Sequence, residues 1–361
     1  MRAKRWIFQS ADPECRPVLF HCVSRVVDRR FVFGDEEREA FRMFMRMYEN
    51  FSGCRVLSYC VMSNHFHLLL EIPPMEMGGI SDEKLLSRLA AIYPENFVQG
   101  VADELAAARA EEGLIEGNEE RVREIHGRFT YRMHSLSRFM QGLLIRFTRW
   151  FNRKHERSGT LWEERFKSVI VESGAAARTI AAYIDLNPVR AGMVGDPADY
   201  RWSSYGEAVG GGKKGNGKKA REGLVRACMS HSGKGFEAEY WKEASRVYRR
   251  AMGLALGRRP GKMLDTRKKL DAVTKNTAEA LASEGNETVL PDLGIAKMLR
   301  CRVRYFTDGA VIGSKEFVNE AFAGARERFS TRRKDGARRM RGSGAAAKGV
   351  LWSVRDLRVG I

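Results

Sequence analysis

Hydrophobic positions along this chain fall into short β-branched and aromatic runs and longer helical stripes, and their order predicts the architecture. Pro17-Val-Leu-Phe-His-Cys-Val-Ser-Arg-Val26 is β-branched and aromatic enough for a first strand. Asp35 to Asn50 places Phe41, Phe44, Met45 and Tyr48 at helical spacing. Val56 to Met62 reads as a second strand, and the run after Ser63-Asn64, up to Ile72, as a third. A turn at Ser63-Asn64 fits an antiparallel hairpin, with one bent strand as the alternative. Pro73-Pro74 ends the run, and the acidic, Ala-rich segment to about Tyr131 is expected to be helical. Ser135 to Lys154 is a strongly amphipathic helix, with Phe139, Leu143, Phe147, Trp150 and Phe151 as its apolar stripe. A turn at Ser158-Gly159 leads to a strand from Phe166 to Val171, then to a helix from Ala175 to Asn187. Pro188 is expected to end that helix, because the residue before a proline is disfavoured in the α region.

This order of elements predicts an α+β fold, an antiparallel sheet with helices packed on it. Beyond Tyr205 the Gly/Lys-rich stretch from Gly210 to Lys219 reads as a flexible linker. A helix near 236–256, a polar helix near 264–284 and a small unit from Arg302 to Phe329 follow. In that unit Thr307-Asp308-Gly309 reads as a turn and Ser314 as a helix N-cap. The expected division is a first domain over 1–205 with an acidic helical insert at about 75–133, a linker over 206–235, and a basic, mainly helical extension over 236–361.

Charge narrows the partner. The net charge of +18 over 361 residues favours a polyanion, nucleic acid before membrane. It is unevenly spread: Glu76 to Glu124 holds 12 acidic and 5 basic residues, whereas Arg326 to Arg358 holds 11 basic and 3 acidic. The insert should therefore face away from nucleic acid. No run approaches the ~20 apolar residues of a membrane span. The basic start, Met1-Arg-Ala-Lys-Arg-Trp6, lacks the apolar core of a secretory signal, so a cytoplasmic, nucleoid-associated place is expected. Six cysteines without a Cys-x-x-Cys pair argue against a zinc ribbon or a disulfide framework.

The chemistry concentrates in two places. His65 and His67 flank Phe66 on the third strand, so both imidazoles point to one face, roughly 6–7 Å apart along the backbone. Two converging imidazoles can hold one metal ion. Tyr183 and Asn187 are four residues apart and share a helix face. If that face packs near the histidines, the Asn187 carbonyl oxygen can be a third ligand of Mg²⁺ or Mn²⁺, with phosphate oxygens and water completing the shell. Tyrosine beside a metal-bound phosphate is a plausible nucleophile for phosphodiester cleavage. His21 and Glu71 can also approach the ion, depending on strand order. Arg25, Arg165, Lys167 and Arg190 flank these motifs as candidate phosphate contacts. Trp162, Trp202 and Tyr205 are candidate stacking platforms, with core packing the more ordinary role.

Three ordered segments carry a family resemblance: Met62-Ser-Asn-His-Phe-His-Leu-Leu-Leu70, Gly159-Thr-Leu-Trp-Glu-Glu-Arg-Phe-Lys167, and Tyr183-Ile-Asp-Leu-Asn-Pro-Val-Arg-Ala-Gly-Met-Val194. Together they resemble the HUH single-tyrosine transposases, and more narrowly the REP-associated tyrosine transposase branch. The resemblance covers about residues 17–205, interrupted by the insert. It implies a ferredoxin-like sheet, His65 and His67 as metal ligands, Asn187 as the third, and Tyr183 as nucleophile. It also implies nicking of single-stranded or hairpin DNA through a 5′-phosphotyrosine, in a monomer or a homodimer. The insert departs from simpler members, and nothing of the resemblance extends beyond about 206. The alternatives are a non-catalytic hairpin DNA-binding or RNA-binding protein on the same fold and, more remotely, a metal-dependent phosphatase.

Overall fold

A run of buried residues on both faces builds β1 (Val18–Arg25), which pairs with the second strand of the hairpin that follows it in sequence. The computed structural model describes residues 17–110, 115–210, 217–229, 239–252, 304–307, 310–329, 331–340 and 350–354. After β1, α1 (Asp35–Ser52) starts where Glu37 accepts a hydrogen bond from the Gly34 amide, and it stops at Gly53 in the left-handed region, φ 71°. β2 (Arg55–Val61) and β3 (His65–Ile72) then form the antiparallel hairpin. Three helices follow: α2 (Asp82–Leu89), α3 (Glu95–Ala110) and α4 (Ile115–Thr130). Next come α5 (Leu136–Lys154), β4 (Lys167–Val171) and α6 (Ala175–Asp185).

The strand order is β2-β3-β1-β4, and every pairing among these four is antiparallel. With α1 and α5 on one side, the unit β1-α1-β2-β3-α5-β4 is a split βαβ, ferredoxin-like arrangement. Phe41, Phe66, Phe147 and Trp162 fill the space between sheet and helices, with Phe41 and Phe66 centroids 4.6 Å apart. Trp162 therefore serves the core, as do the buried Trp202 and Tyr205. The basic helix α5 lies in this layer, and Lys154 is spent on Glu36 and Glu37.

The insert has its own small core. Phe51 of α1 meets Leu85, Leu89, Val101, Leu105, Ile125, Phe129 and Met133 there. His134, at φ 49°, pins its exit by donating from Nδ1 to the Pro73 carbonyl, and His126 pairs with Asp82.

Three features go beyond the sequence reading. First, the chain does not leave the helical region at Pro188. Leu186 stays right-handed, and α7 (Asn187–Arg190) begins with the proline in its first turn, where a missing N–H costs nothing. Second, the described parts of the expected linker hold helix: α8 (Ser204–Gly210) and α9 (Lys218–Met229), which packs on β2 and buries Leu224 and Val225. The approach is close enough that a Cβ at Gly223 would sit 2.5 Å from the Val56 carbonyl oxygen. Third, the extension widens the sheet. After α10 (Glu239–Ala251) and α11 (Arg304–Thr307), β5 (Val311–Gly313) pairs parallel with β4. Beyond α12 (Lys315–Ala323), capped by Ser314, the strands β6 (Arg338–Arg339) and β7 (Trp352–Val354) complete seven. The polar helix expected near 264–284 and the Asp308-Gly309 turn lie outside the described residues.

Edge strand β2 is closed by the chain itself. Val61 N–H donates to the Trp202 carbonyl, and Tyr59 N–H to Ser204 Oγ. No helix among the described residues is long and apolar enough to cross a membrane.

Candidate active site

Antiparallel register decides which side chains meet. Arg25 stands opposite His65, and Val23 opposite His67. His21, His65, His67 and Glu71 thus share the sheet face that α6 covers, away from α1 and α5. On that face α6 delivers Tyr183. Its ring meets His67 edge-on at 5.6 Å and His21 at 6.0 Å, while the His65 and His67 rings are 5.1 Å apart. Arg190 lies over the Tyr183 ring at 5.3 Å. Residues 116 positions apart in the chain are therefore in contact.

Burial sets the protonation of the histidines. Burial, with Arg25 nearby, brings His65 down to about 4, and burial likewise holds His67 well below the usual imidazole range. Both rings are neutral at pH 7, the form that ligates metals. The His65 tautomer follows from its neighbour. Asn64 gives its amide N–H to the Arg29 carbonyl at 2.8 Å, so its Oδ1, 2.7 Å from His65 Nδ1, accepts from that nitrogen. His65 Nε2 therefore carries the lone pair.

The remaining candidates divide. Lys167 is paired across from Val23, on the histidine face, and is exposed. Arg25 is exposed beside His65, and both Arg25 and Arg190 bear electrostatically on His67. Arg165 is exposed two residues before β4, and no contact brings it to the histidines. Asn187 is half-buried and donates its Nδ2 to the Tyr183 and Ile184 carbonyls, at 3.1 and 3.3 Å. That closes the end of α6 and leaves Oδ1 as its acceptor; no contact joins it to either histidine. Glu71 is drawn away from the ion site, because Arg226 of α9 and Arg55 pair with its carboxylate at 2.5 and 3.1 Å. His21, by contrast, lies against His67.

The donor set fits a divalent cation in one respect that matters. Among the described residues no group of three His, Cys, Asp or Glu side chains is arranged around a metal position. Two neutral imidazoles and one amide oxygen remain, a set that leaves coordination positions for phosphate oxygens and water.

Three residues escaped the sequence reading. Phe306 of α11 stacks on Tyr183 at 4.8 Å and leaves its ring 2 % exposed. Asp185, two residues after Tyr183, is fully buried and accepts from Tyr248 Oη at 2.6 Å and from Tyr205 N–H at 2.9 Å. Burial pushes its carboxyl up to about 7. Phe31, 82 % exposed, stands beside the exposed Arg29 and Arg30 on a loop whose Asp28 and Arg29 have φ of 56° and 55°. No periodic or spacing signal marks Phe306; the Arg29-Arg30-Phe31 triplet was visible as a basic-aromatic step.

Known proteins resemble part of the chain. Residues 16–78 match the IS200-like transposase family. The matched segment runs through β1, α1 and the β2–β3 hairpin, so it includes His21, His65 and His67. Tyr183 and Asn187 lie beyond it. Among solved structures, a REP-associated tyrosine transposase bound to a REP hairpin aligns at 12% identity and a TM-score of 0.30, covering 58% of this chain and 88% of that one. No curated protein matches the chain.

Proposed function

We propose that this chain nicks and rejoins single-stranded or hairpin DNA through a covalent 5′-phosphotyrosine at Tyr183, using Mg²⁺ or Mn²⁺. The observation that carries the reading is the convergence of Tyr183, His65 and His67 on one sheet face beside Arg25 and Arg190. Nε2 of both histidines and Oδ1 of Asn187 would hold the ion. When bound, it polarises the scissile phosphoryl group and offsets charge that develops there.

The chain's own groups do the rest. Arg25, Lys167 and Arg190 place positive charge where the DNA backbone must lie. Tyr183 Oη attacks phosphorus in line and gives up its proton as the bond to the 3′ oxygen breaks. The 3′ oxygen leaves as a hydroxyl, and the tyrosyl ester keeps the bond energy for rejoining. Phe31 and its arginine neighbours offer a base-stacking step on the loop whose Arg29 carbonyl holds Asn64, the neighbour of His65. Because Phe306 covers the Tyr183 ring, a scissile phosphate reaches Oη only once residues 304–307 move aside.

That same cover supports a second reading, a hairpin-binding protein without turnover. One experiment separates the two. The full chain is incubated with hairpin oligonucleotides bearing single-stranded flanks, with Mg²⁺, with Mn²⁺, or with chelator, and resolved on a denaturing gel. The enzyme reading expects a metal-dependent protein–DNA adduct. Hairpin binding with no adduct and no cut strand under any condition would establish the second reading.

A further inference from the structure

We propose that His21 is a positioning residue: together with the Phe306 carbonyl it fixes His67 in the tautomer that carries its proton on Nδ1 and leaves Nε2 bare. The argument needs only the direction of each hydrogen bond. Phe306 O is 2.7 Å from His21 Nδ1, and a carbonyl can only accept, so that nitrogen carries a proton. His21 is fully buried between a carbonyl and a second imidazole, with no carboxylate bonded to it among the described residues, so a second proton would be an uncompensated buried charge and the ring holds one. Its Nε2 is then a lone pair. That lone pair sits 3.0 Å from His67 Nδ1. Two lone pairs at this distance repel, so His67 Nδ1 must be the donor.

Ring geometry agrees. The two imidazoles are 16° from coplanar with centroids 5.2 Å apart, so with nitrogens at 3.0 Å they meet edge to edge and N–H and lone pair lie in line. The relay therefore runs from a backbone carbonyl at residue 306, through His21, to His67. It reaches across 285 positions from the extension to β1. His65 receives the same treatment from Asn64, so each histidine has its own device presenting Nε2. Outer partners of this kind orient ligating histidines and are worth about 10–100-fold in metal affinity. The α11 segment is thereby a structural part of the site as well as its cover.

The tautomer claim stands without any metal; its consequence for affinity rests on the function proposed above. Long-range ¹H–¹⁵N correlation on the metal-free full chain reads the protonated nitrogen of His67 directly. Wild type is expected to show Nδ1–H. His21→Leu removes the acceptor and should release His67 toward Nε2–H, with Mn²⁺ affinity falling about 10–100-fold. His21→Gln, whose side-chain oxygen can still accept from His67, should keep both near wild type. Nε2–H on His67 in wild type overturns the proposal, and this reading holds even if a variant fails to fold. Unchanged tautomer and unchanged Mn²⁺ affinity in a folded His21→Leu also overturn it. Nδ1–H in wild type with no Mn²⁺ binding would uphold the positioning role and refute the metal site instead.

Discussion

The two faces of the central sheet are built by opposite rules. Toward α1 and α5 the centre is hydrocarbon on hydrocarbon, Phe41, Phe66, Phe147 and Trp162 packing tilted or edge to face, and charge enters only toward the β2 edge, where Arg46 and Glu207 meet Tyr59. Toward α6 the same strands present His21, His67 and Glu71, and the helix adds Tyr183 and Asp185, all buried. His21, His67, Glu71 and Asp185 each have a polar partner, and the Tyr183 ring is held by His67, Phe306 and Arg190. A residue on the first face is replaceable by anything of its size. One on the second is bound by direction and protonation as well as shape, which is how chemistry is held in place. Substitutions on the aromatic face should therefore change stability alone, and substitutions on the histidine face should change chemistry or its pH dependence.

Tyr183→Phe is the sharpest probe of that contrast. It should abolish adduct formation on hairpin DNA while hairpin affinity, measured by fluorescence anisotropy, stays within about threefold. Persistence of the adduct without that hydroxyl refutes the nucleophile. Phe66→Ala, one position away from both histidines but on the other face, should cost about 3–5 kcal/mol in urea unfolding. Adduct formed per folded molecule should not change; a loss of chemistry there would erase the distinction between the faces.

Asp185 tests the histidine face through pH. Its folded value, about 7, lies above the unfolded carboxyl value of 3.8, so the folded state binds the proton more tightly. Its contribution is then complete below 3.8 and is lost as pH rises to 7, at most about 4 kcal/mol. Asp185→Asn should therefore gain on wild type between pH 4 and 7 and hold its advantage above. Parallel thermal melts across that range check it; a constant difference contradicts the shifted carboxyl. The smallest effect expected is that of Phe31→Ala, about 1–3 kcal/mol in binding single-stranded flanks if one base stacks there. Equal affinity of the two proteins for a flanked hairpin removes Phe31 from the interface.

The frame of this molecule was legible because periodicity is local. The β-branched and aromatic runs in 17–26 and 56–72, and the stripes in 35–50 and 135–154, are enough to order β1, α1, β2, β3 and α5. His65 and His67 shared a face by parity alone. What stayed hidden depends on pairing between distant segments. His21 reads as one polar residue in an apolar strand until β1 is known to sit beside β3. The three-residue strands β5 and β7 are too short to show a period. Helix α9 was masked by its Gly/Lys-rich approach, although Ala220, Leu224 and Cys228 keep helical spacing. Pro188 misled in a different way, because a proline is welcome in a first helical turn.

The central claim is that the tyrosine gathered against the histidines is the atom that takes the DNA. A hairpin oligonucleotide whose short upstream fragment, ending in the freed 3′-OH, diffuses away would trap the adduct, and tandem mass spectrometry of its peptides would locate the attached nucleotide. The account predicts a phosphodiester on Tyr183, formed only with Mg²⁺ or Mn²⁺ present. Attachment to any other residue, or a cut strand that never becomes linked to protein, would contradict it.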